Sequence, residues 1–254
     1  ARWLTRETGR PYPCYMSAVW EKPCNPPELN LDGVHVWRAQ LIASATEVDV
    51  LSGCLSLDER ERADRFAHAK HRARFVVARG VLRQLLGRYL GLDPAELGFD
   101  YGEHGKPALS SGELQFNMSH SHEMALYAIA LDRQIGVDIE WPRTTVAYDH
   151  IAARFFSVRE QAALAERPEI ERRAAFYNIW TRKEAYLKAR GDGISAGLDT
   201  FCVSSDAEAR LLHSDAGATE LARWNMTALT PAPGYVAALC AVGDWRLNCY
   251  AWSD

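Results

Sequence analysis

Asp138 and Glu140 stand two apart in Gly136-Val137-Asp138-Ile139-Glu140, a run that alternates polar and apolar. Alternation puts both carboxylates on one face of a strand, and Val137 and Ile139 on the other. Two carboxylates so placed repel unless a cation sits between them. Downstream, Trp180, Glu184 and Lys188 recur every fourth residue inside a long helical pattern. They form one stripe: an aromatic, a carboxylate and an ammonium. A third carboxylate with a lysine one turn on would complete a site for a hard cation, leaving a base and a phosphate ligand to spare.

Each piece has a plainer reading on its own. A D-x-E pair is most often the wet face of a half-buried strand. A Glu followed by Lys at i+4 is a routine surface pair worth ~0.3–0.5 kcal/mol, and Trp180 is then core. His120 reads as a turn residue and Lys106 as a solvated lysine in a Gly-Lys-Pro turn. Nine arginines and lysines fall between Arg60 and Arg88. Most belong to the outer face of an amphipathic helix, while a few are suited to line a phosphate groove.

The elements around these groups follow from pattern. Residues 1–33 are rich in Pro, Asn and Gly and read as an irregular N-terminal arm. Residues 34–41 read as a strand. Ser56-Leu57-Asp58-Glu59 opens a helical, basic stretch that runs to Leu90 and stops at Gly91. Strand-like pieces follow at 99–101 and 114–116. Asn117 to His122 reads as a polar loop leading into a strand over 124–131. Asp132-Arg133-Gln134 turns the chain into the strand that carries Asp138 and Glu140. Helical patterns cover 147–167 and 169–190, parted at Pro168, and four strand-like runs complete the chain. The two halves, 34–133 and 134–254, thus share an order of strand, helices and strands, the mark of a duplicated α+β unit.

The totals exclude several classes. A net charge of −4 argues against bulk affinity for nucleic acid. No apolar run approaches the ~20 residues of a membrane span. The opening Ala1-Arg2-Trp3-Leu4 has no apolar core of signal-peptide type. Of the six cysteines none forms a C-x-x-C pair or lies at zinc spacing from a His. A reduced, cytoplasmic monomer is the expectation.

Several blocks together resemble a known family. They are Tyr101-Gly102-Glu103-His104-Gly105-Lys106-Pro107, Phe116-Asn117-Met118-Ser119-His120-Ser121, Gly136-Val137-Asp138-Ile139-Glu140, Arg154-Phe155-Phe156-Ser157, and the run from Trp180 to Lys188. In this order they resemble the 4'-phosphopantetheinyl transferases of the large, Sfp-like, pseudo-dimeric type, from Ser56 to Val242. The first block departs from the family pattern, because Glu103-His104 intervene before Gly105-Lys106-Pro107.

The resemblance implies two similar α+β subdomains related by a pseudo-two-fold, with the active site in the cleft between them. It implies transfer of the phosphopantetheine arm of coenzyme A to a serine of an acyl or peptidyl carrier protein, releasing adenosine 3',5'-bisphosphate. Fatty-acid, polyketide and non-ribosomal-peptide pathways all use such carriers. Asp138, Glu140 and Glu184 match the family's Mg²⁺ ligands, which Mn²⁺ can also occupy. Lys188 matches the lysine on the pyrophosphate. Ser119 and His120 match the loop at the 3'-phosphate end, and Lys106 and Arg74 its other cationic contacts. Phosphoryl-type transfer needs positioning and charge stabilisation, which suits these residue types. Glu184 is the expected base, directly or through a metal-bound water. The alternatives are a metal-dependent phosphodiesterase or nuclease, and a non-catalytic relative that only binds coenzyme A.

Overall fold

The computed structural model describes residues 19–112, 114–193 and 197–253. Most of the expected N-terminal arm, residues 1–18, lies outside the described residues. The elements run β1 (Gly33–Gln40), α1 (Ala45–Gly53), α2 (Leu57–Asp64), α3 (Ala69–Leu90), β2 (Phe99–Tyr101), β3 (Pro107–Leu109), β4 (Leu114–Ser121), β5 (Met124–Leu131) and β6 (Ile135–Glu140). They continue with α4 (Tyr148–Phe155), α5 (Val158–Ala165), α6 (Glu169–Arg190), β7 (Phe201–Val203), β8 (Leu211–Ser214), α7 (Ala218–Arg223), β9 (Trp224–Leu229), β10 (Val236–Val242) and β11 (Arg246–Ala251).

Two sheets meet face to face. One has the order β11-β1-β5-β4 and the other β6-β10-β9. The alternation of side chains divides each strand between two cores. In β5, Ala125, Tyr127 and Ile129 face α1 and α3, while Leu126, Ala128 and Ala130 face the second sheet. In β10, Ala238 and Cys240 face α6, while Ala237, Leu239 and Ala241 face the first sheet. Strands buried on both faces lose polar alternation, as Met-Ala-Leu-Tyr-Ala-Ile-Ala-Leu in β5 does. The layers are therefore helix, sheet, sheet and helix, with the third core joining the halves.

Internal duplication shows in the helices. Ser56 and Glu59 form a capping box before a 22-residue helix that ends on left-handed Gly91. Ser157 and Glu160 form another before a 22-residue helix that ends on left-handed Gly191. Glu59 is buried against Arg79 and Arg83, and Glu160 against Lys183. Arg83 and Lys183 stand at the same distance from their terminal glycines. The same device, an acid under the long helix, recurs in each half.

Four details differ from the sequence pattern. The stretch 56–90 is two helices, broken at residues 65–68. A helix at 45–53, opened by a capping box of Ser44 and Glu47, precedes them. The stretch 147–167 divides where Ser157 caps α5. Asn117 to Ser121 is no loop but the second half of β4. In addition, β11 returns to the first half and pairs parallel with β1. The described part of the arm crosses both halves. Trp20 donates to Thr230 O at 3.2 Å and lies under the Arg38 guanidinium, and Glu21 bridges to Tyr250.

Candidate active site

The seam between β4 and β6 replaces a backbone ladder with side chains. Asn117, Ser119 and Ser121 alternate to one face of β4. The Asn117 carboxamide oxygen accepts from Val137 N at 2.8 Å. Ser119 Oγ donates to Asp138 Oδ1 at 2.8 Å, and Ser121 Oγ to Glu140 Oε2 at 2.9 Å. Ser121 Oγ also accepts from Trp141 N at 3.1 Å. This explains why a strand can carry Asn-Met-Ser-His-Ser. Its polar residues meet the polar groups of the facing strand instead of water.

Helix α6 completes the site because residue 136 is glycine. A Cβ there would lie 2.1 Å from Ala185 O and 2.3 Å from Ala189 N. No other residue lets the helix backbone approach β6 so closely. Lys188 consequently reaches Asp138 Oδ1 at 2.6 Å and Ser119 Oγ at 3.0 Å.

Asp138 is buried, and its Oδ2 has no donor; Glu184 Oε1 is likewise buried and unpartnered. Burial first, then Asp138 and more weakly Glu140, raise the Glu184 carboxyl to about 7 against the pull of Lys188. Burial and then Asp138 raise Glu140, opposed by Ser121, Lys188 and Arg143. The three acids thus lie within one another's field. Among the described residues no three or more His, Cys, Asp or Glu side chains are arranged so as to hold a metal ion. The Lys188 ammonium is the cation beside Asp138, and two orphaned carboxylate oxygens beside it fit a hard cation that takes oxygen ligands.

The other expected residues divide. His120 alternates to the opposite face of β4 from Ser119. Desolvation, then Lys188 and Arg74, hold its imidazole below the ordinary value, with Asp138 opposing. Arg74 projects from α3 and donates to Glu123 Oε1 at 2.7 Å; Lys70 meets the same oxygen at 3.4 Å. Ser119 is engaged with Asp138 and Lys188.

Lys106 lies at the end of α6, where its Nζ donates to Ile135 O at 3.1 Å, Lys188 O at 2.5 Å and Ala189 O at 3.5 Å. An ammonium has three donors, and all three are spent on backbone. Burial lowers it to about 8. Trp180 stacks on Phe176, and Phe156 packs against both, so this part of the stripe is core.

Sequence reading missed Asn117, Ser121, Gly136 and Glu123 as parts of the site. For the first two the signal was present, since Asn117, Ser119 and Ser121 have the period of a strand. Gly136 carries no local signal, because its reason is a helix far along the chain.

Comparison with known proteins gives the family. The profile of the 4'-phosphopantetheinyl transferase superfamily matches residues 134–240, and that of the 4'-phosphopantetheinyl transferase N-terminal region matches residues 40–131. The 4'-phosphopantetheinyl transferase HetI of Nostoc sp. is 40% identical over 87% of this chain and 94% of its own length. The 4'-phosphopantetheinyl transferase Sfp of Bacillus subtilis is 32% identical over 74% of this chain and 82% of its own. The 4'-phosphopantetheinyl transferase ffp of Bacillus subtilis is 31% identical over 78% and 87%. Two matched regions in tandem, and full-length likeness to such enzymes, correspond to the two layered halves, and the chain belongs to the 4'-phosphopantetheinyl transferase superfamily, in its Sfp-like type.

Proposed function

We propose that this chain transfers the 4'-phosphopantetheine arm of coenzyme A to a serine of an acyl or peptidyl carrier protein. The observation that supports the reading is Lys188 on Asp138, with one buried carboxylate oxygen left unpaired on Asp138 and one on Glu184. The serine oxygen attacks the β-phosphorus of coenzyme A. The bond from that phosphorus to the bridging oxygen breaks, and adenosine 3',5'-bisphosphate leaves.

Asp138, Glu140 and Glu184 would hold Mg²⁺ or Mn²⁺, which when bound neutralises charge on the diphosphate. Glu184 takes the serine proton, directly or through a metal-bound water. Lys188 supports the departing oxygens. Arg74, Lys70 and His120 offer donors to the phosphate end of the coenzyme. Buried free thiols at Cys202, Cys240 and Cys249 fit a reducing compartment such as the cytoplasm, where the chain acts as a monomer.

The test is mass spectrometry of several apo carrier proteins incubated with the protein, coenzyme A and Mg²⁺. A gain of one phosphopantetheine on the carrier serine is expected, and EDTA should prevent it. No gain on any carrier, or a gain indifferent to chelation, would overturn the corresponding part of the reading.

A further inference from the structure

The hairpin of β2 and β3 is rooted in one half of the molecule and ends on the other. Its root is fixed by Phe99 under the Arg79 and Arg83 guanidiniums, and beside the turn the Tyr101 hydroxyl accepts from Arg79 Nη2 at 3.0 Å. Its turn closes through Gly102 N to Lys106 O at 3.0 Å and Gly105 N to Gly102 O at 2.8 Å. Within the turn, His104 packs on Gly193, where a Cβ would come within 2.9 Å of the ring.

Lys106 therefore arrives at the end of α6 from a fixed platform. The last carbonyls of a helix have no partner within it. Gly191 N takes Leu187 O, and Lys106 Nζ takes Lys188 O and Ala189 O. A half-buried ammonium at that end also complements the helix dipole. The same nitrogen bonds Ile135 O, the first residue of β6. One side chain thus ties together the helix that carries Glu184 and Lys188 and the strand that carries Asp138 and Glu140.

We propose that Lys106 is a positioning residue for the transfer reaction, a half-buried clamp that sets α6 on β6 and so sets the carboxylates against one another, without itself touching coenzyme A. This rests on the reading of the carboxylates given above. Its signature differs from that of a ligand contact. A clamp sets the metal ligands and the reacting geometry, so its loss lowers kcat and metal affinity. A phosphate contact sets affinity for coenzyme A, so its loss raises KM.

The experiment uses the full chain with Lys106→Met, which keeps the length and removes the donors. Transfer kinetics with an apo carrier protein are paired with Mn²⁺ titration without coenzyme A, read from the electron paramagnetic resonance signal of free Mn²⁺. Groups that orient metal ligands typically change metal affinity or activity by about 10- to 100-fold. Expected is a fall of that size in kcat and in Mn²⁺ affinity, with KM for coenzyme A within about twofold of wild type. A raised KM with unchanged Mn²⁺ binding overturns the proposal, and so does a variant unaltered in both. If the Met variant does not fold, Lys106→Gln, which retains two donors, is judged by the same split of kcat against KM. Failure of the carboxylate reading would look different. Wild type and Asp138→Asn would then bind Mn²⁺ equally, while the kinetic split still tests the clamp.

Discussion

Gly136→Ala adds one methyl group where α6 lies closest to β6. The new carbon would stand 2.1 Å from Ala185 O, 2.3 Å from Ala189 N and 2.9 Å from Ala189 Cα. Side-chain carbons do not approach other heavy atoms within 3.0 Å, so the helix must retreat by about 1 Å. All three obstacles are backbone, and none can rotate away. Overpacking of this kind costs about 1–3 kcal/mol. For a chain of this size each kcal/mol lowers Tm by roughly 2–4 °C, so a fall between about 2 and 12 °C is expected.

Activity should suffer more than stability. The retreat moves Glu184 and Lys188 together away from Asp138 and Glu140, and lengthens the 2.6 Å contact from Lys188 to Asp138. A displacement of about 1 Å at reacting groups costs on the order of 100-fold in rate. The assay is kcat for transfer to an apo carrier protein, with Tm measured on the same preparation. Gly53→Ala is the control, since nothing lies within 4 Å of its added carbon. It should be neutral or slightly stabilising, as Gly to Ala in a helix is. A Gly136→Ala protein with wild-type Tm and wild-type kcat would refute the idea that the close approach of α6 builds the site.

Three further outcomes follow from the same contacts. Glu184→Gln and Asp138→Ala should each abolish transfer while the circular dichroism and Tm stay those of a folded protein; near-normal rates would remove both from the reaction. Arg74→Ala should raise KM for coenzyme A more than it lowers kcat, and the reverse would move Arg74 from the phosphate end to the reacting centre. His35 is buried on β1 and burial lowers it to about 4, while the unfolded chain titrates at 6.5. Between those values the unfolded state binds the extra proton, so stability is full above 6.5 and declines as pH falls toward 4. The loss approaches about 3 kcal/mol. Urea midpoints against pH should show that slope in wild type and a flatter one in His35→Gln; parallel slopes would acquit His35.

The layers were legible in the sequence because they depend on local pattern. Helix ends at Gly91 and Gly191 and the strand at Asp138 and Glu140 needed only period and glycine. What was not legible depended on partners distant in the chain. Asn117 to Ser121 looked like a loop because polar residues usually face water, and no local signal says that β6 lies opposite. Lys106 reads as a solvated lysine because its acceptors are carbonyls at 135, 188 and 189. A carbonyl has no side-chain identity for a sequence pattern to record. The break within 147–167 was legible in principle, since Ser157-Val158-Arg159-Glu160 is a capping box.

The duplication also accounts for there being one reaction centre rather than two. Because α3 and α6 have the same length and end on equivalent glycines, position 84 answers to 184, and 88 to 188. The first half has Gln84 and Arg88 at these places. Gln84 donates to Cys54 Sγ at 3.2 Å, and the Arg88 guanidinium lies 4.2 Å from the Trp252 ring. Neither can supply a carboxylate to a cation. At the other end of the first half's helix Arg74 and Lys70 meet Glu123 in the turn after β4, while Ser119 and Ser121 of β4 bond the acids. The second copy therefore supplies both the acids and Lys188, and the first supplies the strand that bonds them. A diphosphate substrate needs both, a divalent ion on one side and fixed positive charge on the other. The seam, where the two copies have diverged, is where the acids and Lys188 stand.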